Sequence, residues 1–377
     1  MNITTESKQE VWHDMQEPGA YEWWYFDAED RALGLSFVLI WFSGFPFSPD
    51  YTNHYESWKQ RLITEPPLSS NYSGFSFQLY ENNVETVNFI KEGHRGLFES
   101  NHSEIGVRFE KNRFIYNSLK DEYTIDIDFS FPARKKEVRA TLLFKPRRRI
   151  VYEKKDGNNN GNDSLHQWLL SVPKAEVDGR IDIIDQRNST IRTIPIQAVG
   201  YHDHNLGAVP MQEYISRWYW GRAFSDFFDL IYYVIYFRNN EYKPLTLLLL
   251  HDNKSERAIV YDAVQFSETN FRKGLFSPLH SRNLDLKHEE SVILHIHHDK
   301  VLDSGPFYLR FASCISLQID GRNLEGIRGI SEFLDPAPLQ SKFMRFFTRS
   351  RIWREGRYSI MYQSYNCFKR LFDWKNK

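Results

Sequence analysis

Six short segments, apolar or alternating, constrain this chain more than anything else in it. Residues 35–42 (LSFVLIWF) are a continuous apolar run, as a buried strand requires. Residues 123–129 (YTIDIDF) alternate apolar and acidic, the pattern of a strand with one wet face. Residues 137–144, 230–237, 245–250 and 292–297 are similar: short, rich in β-branched or aromatic side chains, and set off by turn residues such as Glu81-Asn82-Asn83 and Arg238-Asn239-Asn240. Helical periodicity is confined to the neighbourhood of the C-terminus. Many strands without helices between them mean antiparallel sheets, so the expected fold is all-β, built as sandwiches or barrels.

The length, 377 residues, suits two domains. The polar stretch Asp156 to Asp163 (DGNNNGND) reads as a solvated loop and as the boundary between them, giving domains at about 1–160 and 161–377. Aromatic residues make up 16% of the chain, which excludes disorder.

The formal net charge is −1, without the basic excess of a nucleic-acid binder. Only Cys314 and Cys367 are present, so neither a disulfide framework nor a C-x-x-C metal motif is available. The N-terminus lacks the basic and apolar regions of a signal peptide, and no apolar run approaches the ~20 residues of a membrane helix. These features suit a cytoplasmic protein, soluble or peripheral to a membrane. From Lys342 to Lys377 ten Lys or Arg stand against Glu355 and Asp373, interleaved with aromatic residues. Such a segment can lie on an anionic bilayer, or pack on the acidic remainder of the protein.

Two segments carry candidate chemistry: His166-Gln167-Trp168 and Gly200-Tyr201-His202-Asp203-His204-Asn205. On strands, residues two apart share a face, so His166 pairs with Trp168 and Tyr201 with Asp203. The set can form a cavity with an acid, a phenol, an imidazole and an indole, or a hydrogen-bond network that only specifies a core. His202 and His204 with Asp203, or His295, His297, His298 and Asp299, offer imidazole and carboxylate ligands, but no H-x-x-x-H or H-E-x-x-H spacing occurs. Phosphate-cradling motifs and the G-x-S-x-G elbow are also missing, so the expectation is acid–base chemistry with no cofactor and no metal.

These motifs resemble those of the carotenoid 1,2-hydratases, the hydroxyneurosporene synthase type, within a lipocalin-like superfamily that includes Diels–Alderases and other natural-product cyclases. Gly19-Ala20-Tyr21-Glu22-Trp23-Trp24-Tyr25-Phe26-Asp27-Ala28 is similar to the family's G-x-Y-x-W-W-Y-x-D-A. Phe47 to Tyr51 resembles F-S-P-x-Y, His166 to Trp168 H-x-W, Pro173 to Val177 P-x-A-x-V, Gly200 to Asn205 G-Y-x-D-x-N, and Gly329 to Asp335 G-x-x-E-x-L-D. Arg217 to Ala223 is similar to R-W-x-W-S-R-A, with Gly221 replacing Ser.

The resemblance implies two lipocalin-like β domains and a site lined from the second, at or near their junction. It implies Asp203 as proton donor, with Tyr201, His166 and Trp168 as its catalytic partners. Trp24, Tyr25, His202, His204, Asn205, Trp218 and Trp220 are the expected substrate-binding residues, His202 and His204 making a polar mouth where the hydratases are expected to have apolar or small residues. The implied reaction is hydration of a terminal double bond of a carotenoid or isoprenoid-like polyene. The alternatives are cyclisation by a cyclase or Diels–Alderase-type pericyclase, and a non-catalytic lipid carrier. The expected partners are that hydrophobic substrate and, through residues 342–377, a membrane surface.

Overall fold

The computed structural model describes residues 1–131, 135–154, 165–274 and 277–355. The fold is all-β, 61% strand against 12% helix, as the strand-rich pattern requires. The chain divides into two compact units, Met1–Pro210 with Phe346–Lys377, and Met211–Arg345.

The first unit contains β1 (Asn2–Thr4), β2 (Tyr21–Asp30), β3 (Leu35–Ser43), β4 (Ser73–Glu81), β5 (Val84–Gly93), β6 (Phe98–Ser100), β7 (Gly106–Phe109), β8 (Asn112–Asn117), β9 (Glu122–Phe131), β10 (Lys136–Arg148), β11 (Glu153–Lys154), β12 (Gln167–Asp185) and β13 (Thr190–Gly207), with helix α1 (Pro49–Lys59) between β3 and β4. They form one nearly closed barrel sheet in the order β5-β4-β3-β2-β13-β12-β10-β9-β8-β7-β6, with β1 pairing β12 and β11. The alternation in residues 123–129 does what it implies: Tyr123, Ile125, Ile127 and Phe129 face the core, while the residues between them are half-exposed. Asn82 and Asn83 both take positive φ, +50° and +61°, and close the two-residue turn from Glu81 to Val84. That mirror-image turn matches the strand twist, and Asn tolerates it best after Gly.

The second unit contains helix α2 (Met211–Tyr214), then β14 (Ile215–Phe224), β15 (Phe228–Phe237), β16 (Leu245–Asp252), β17 (Arg257–Asp262), β18 (Gln265–Arg272), β19 (His280–His288), β20 (Val292–Ser304), β21 (Tyr308–Ile319) and β22 (Arg322–Leu334). Their sheet is a curled half-barrel in the order β17-β16-β15-β14-β22-β21-β20-β19-β18. Helix α3 (Lys342–Arg351) follows.

The units meet in sequence at Pro210 rather than near residue 160. β12 and β13 are long, 19 and 18 residues, and β12 bonds to β10 along most of its length while β13 bonds to β2. A polar loop marks where a chain meets water, not where a sheet ends. The DGNNNGND stretch itself lies outside the described residues.

Candidate active site

β13 lies between β12 and β2, and the register fixes what meets what. Asp203 is opposite Tyr25, Tyr201 opposite Asp27, and Asn205 opposite both Trp23 on β2 and Trp168 on β12. Residues two apart share a face, so Tyr201, Asp203 and Asn205 line up on the side of the sheet away from the barrel core. The barrel core, holding Trp24, Phe26, Trp41 and Phe114, lies on the other side.

On this second face the side chains are nonetheless buried: Trp168, Tyr201, Asp203, Asn205 and His166 are all at most 6% exposed. Asp203 is the hub. Its Oδ2 accepts from the Trp168 indole N–H (2.9 Å) and the Tyr201 hydroxyl (2.7 Å), and its Oδ1 accepts from the Asn205 amide (3.0 Å). Asn205 thus belongs to the acid's own shell.

His166 joins the same face by another route. Its Nδ1 lies 2.9 Å from the Tyr21 hydroxyl, and its ring packs against Tyr21 and Trp23. Burial and the positive chain N-terminus push the imidazole down to about 3, so it is neutral at physiological pH. Gly207 makes room for this pair: a Cβ there would sit 2.5 Å from the Tyr21 ring. Tyr25 also lies on this face, edge-on to Tyr201 at 6.1 Å, and its hydroxyl donates to Asp27 Oδ2 (3.0 Å).

His202, His204 and Trp24 point the other way, into the barrel. His202 stacks on Phe26 (3.7 Å between centroids) and meets Glu10 Oε1 at 2.5 Å; Glu10 also accepts from Tyr123. Burial raises the Glu10 carboxyl, but His202, with His204 and the Tyr123 hydrogen bond, holds the group below its ordinary range. His204 stacks on Trp24 (4.6 Å) and reaches Glu22 Oε1 (2.9 Å), which His13 Nδ1 also contacts (2.8 Å). Burial likewise raises Glu22, and hydrogen bonds from His13 and His204 hold it low; burial pushes His204 itself down. These two histidines are core residues paired with carboxylates, not a polar mouth beside Asp203.

Trp218 and Trp220 belong to the second unit, on β14 opposite Ile235 and Tyr233, on a different sheet from Asp203. Of the four expected catalytic residues, Tyr201 and Asp203 lie on β13, Trp168 at the start of β12 and His166 just before it, all in the first unit rather than the second. Of the second-domain histidines, His295 pairs with Asp285 at the surface, His297 meets Asn283, and His298 is buried against Phe311. Tyr21, Trp23 and Asp27 share this face and are candidate site residues that sequence reasoning misses. Period-two spacing from Tyr25 finds all three, since adjacent Trp24 and Tyr25 cannot face the same way on one strand.

Fold and cluster together define a class: a lipocalin-like all-β protein with a buried, three-donor carboxyl group on the non-core face of its barrel sheet. The chain belongs to the carotenoid hydratase CrtC family, whose model matches residues 41–361. It is 52% identical over 373 residues to a hydroxyneurosporene dehydrogenase of Chlorobaculum tepidum, covering 99% of this chain and 97% of that one. Among solved structures, CghA superposes with a TM-score of 0.58 at 11% identity, covering 89% of this chain and 97% of that one. Kievitone hydratase from Nectria haematococca does so with 0.51 at 10%, covering 88% and 95%. The protein is an enzyme, with a hydratase-type function. Among the described residues no helix is long and apolar enough to cross a membrane.

Proposed function

We propose that this enzyme adds water to a terminal double bond of a carotenoid or isoprenoid-like polyene without a cofactor, and that Asp203 supplies the proton. The observation that carries this reading is the buried Asp203 carboxyl with donors on both oxygens. An isolated alkene is protonated on carbon first, so the acid must be strong, fixed and neutral before it reacts. Desolvation favours the neutral carboxylic acid, whereas donors on its oxygens favour the carboxylate. The contacts accommodate both states. With a proton on Oδ2, the acid donates to the Tyr201 oxygen, whose hydroxyl can rotate; the Trp168 and Asn205 N–H groups remain satisfied on Oδ2 and Oδ1.

The proton moves from Asp203 to the less substituted carbon of the double bond as the π bond breaks, leaving a tertiary cation at its neighbour. Trp168, at the acid, can stabilise that cation with its ring by about 2 kcal/mol in a dry site. A water oxygen then bonds to the cation, and the oxonium proton returns to the Asp203 carboxylate. His166, neutral and held by Tyr21, positions this end of the face. If water is excluded, an internal alkene captures the same cation and the product is a ring. The relative's name, a hydroxyneurosporene dehydrogenase, raises a third outcome, loss of two hydrogens to an added two-electron acceptor.

Product analysis in heavy water separates them. Hydration yields a tertiary alcohol with one solvent deuterium on the neighbouring carbon; cyclisation yields an isomer, and dehydrogenation a product with two hydrogens fewer. Asp203→Asn keeps the shape and should lower turnover at least about 100-fold with substrate binding retained. Wild-type turnover in that variant sinks the acid assignment.

The substrate class is insoluble in water, and we assign the route of entry to a bilayer contact at α3. Phe343 and Phe346, one turn apart on that helix, are 64% and 51% exposed, and Lys342 beside them is exposed too. A surface helix with an outward aromatic pair and a cation fits an anionic lipid interface.

A further inference from the structure

We propose that His13, Glu22 and His204 form a divalent transition-metal site, suited to zinc, that ties the N-terminal segment to β2 and β13. The three come from separate parts of the chain and converge on one point. Glu22 Oε1 lies 2.8 Å from His13 Nδ1 and 2.9 Å from His204 Nε2, and all three ligand atoms fall within 4.8 Å of one another. Two imidazoles and a carboxylate, with a fourth position for water, are a recurrent zinc set.

The geometry is close to what zinc needs. Bonds of 2.0–2.2 Å in a tetrahedron place ligand atoms about 3.3 Å apart, so the two contacts to Glu22 Oε1 open by about 0.5 Å while the His13 and His204 nitrogens, already within 4.8 Å of each other, adjust to the same spacing. Glu22 and His204 are buried, and the Trp24 stack fixes the His204 ring plane. The His13 side chain is 29% exposed, which leaves an approach for the ion and for water. The charge is also favourable: a second buried carboxylate, Glu10, acts electrostatically on His204.

His204 lies on the opposite face of β13 from Asp203, so the site is structural and independent of the hydration chemistry. A metal here clamps the strand that carries Tyr201, Asp203 and Asn205.

The test uses the full chain, free of any affinity tag and stripped with a chelator, then titrated with zinc and with cobalt. The expected result is one metal per chain, visible cobalt absorption of a four-coordinate site, and a Tm that rises with zinc. His13→Ala alters a half-exposed loop side chain and should bind at least about 100-fold more weakly, the upper end of what losing even a supporting partner costs. Glu22→Gln gives the same loss with the shape kept, and serves if His13→Ala fails to fold. His295→Ala removes a surface histidine and should bind as the wild type does. No stoichiometric uptake by the wild-type chain, or equal uptake by the folded His13 or Glu22 variant, leaves a hydrogen-bonded triad only and overturns the site.

Discussion

Single atoms decide the site. Asp203 has its neighbours because alternation on β13 sets Tyr201, Asp203 and Asn205 in a row, and the register brings Trp168 level with Asn205. Gly207 acts at the same scale. A methyl group there would meet Tyr21 Cζ at 2.5 Å and the Leu165 carbonyl at 2.7 Å. The backbone cannot yield as a flexible chain end does, so Gly207→Ala should cost about 1–3 kcal/mol in stability. It should also displace Tyr21 from His166 and lower kcat more than it raises KM. Thermal melts and steady-state kinetics check this; a normal kcat with a lowered Tm limits Tyr21 to a packing role. The motifs single out Tyr201, Asp203, His166 and Trp168 as candidates. The division of Tyr201-His202-Asp203-His204 between an acid's shell and a barrel core was half legible: period two separates the pairs but does not say which face is the core.

At the scale of elements, the C-terminal segment changes meaning. Read as sequence, its ten basic residues can lie on an anionic bilayer or pack on the acidic remainder of the protein. In the fold, Arg349 pairs with Asp50 (2.6 Å), and Arg354 with Asp50 and Glu92 (3.2 and 2.9 Å). Arg345 is buried and donates to the Leu339 carbonyl (3.0 Å). Beyond α3 the chain adds to the edge of the barrel sheet: Trp353 N–H donates to the Ile90 carbonyl, and Lys91 Nζ sits 4.4 Å from the Trp353 ring centroid. That covers an edge strand that would otherwise invite pairing. Removing everything after residue 341 would therefore damage the first unit, and it cannot test membrane binding cleanly. The sharper test is Phe343→Ser with Phe346→Ser. Both side chains are exposed, so Tm should change little, whereas binding to vesicles of anionic lipid should fall about tenfold. Vesicle flotation decides; unchanged binding by a folded double variant removes α3 as the contact. Residues 356–377, with the remaining basic cluster, lie outside the described residues.

Over the whole molecule, buried histidines set the response to acid. His166 in the first unit and His298 in the second are each pushed down to about 3, chiefly by burial. Both stay neutral in the folded state while the unfolded chain takes up protons below its ordinary value near 6.5. Between those limits the unfolded state binds more protons, so stability falls as pH falls, by about 1.4 kcal/mol per pH unit for each histidine. Glu10 and Glu22 have lowered folded values; their contribution is present above about 4.5 and is lost as pH falls through those values. Tm should therefore drop between pH 6 and 5, before the carboxylates titrate. His298→Gln should flatten the slope for the second unit, and an unchanged slope assigns the proton uptake elsewhere. The sequence alone determined the all-β class and the family, and it singled out Tyr201, Asp203, His166 and Trp168 as candidates, because alternation and short motifs are local and need no tertiary context. The tertiary structure alone decided where the first sheet ends, that His202 and His204 serve the barrel, and that Tyr21, Trp23 and Asp27 share the face with Asp203. Those facts depend on strand register and on which face of a sheet closes inward, and both are set by pairing between segments far apart in the chain.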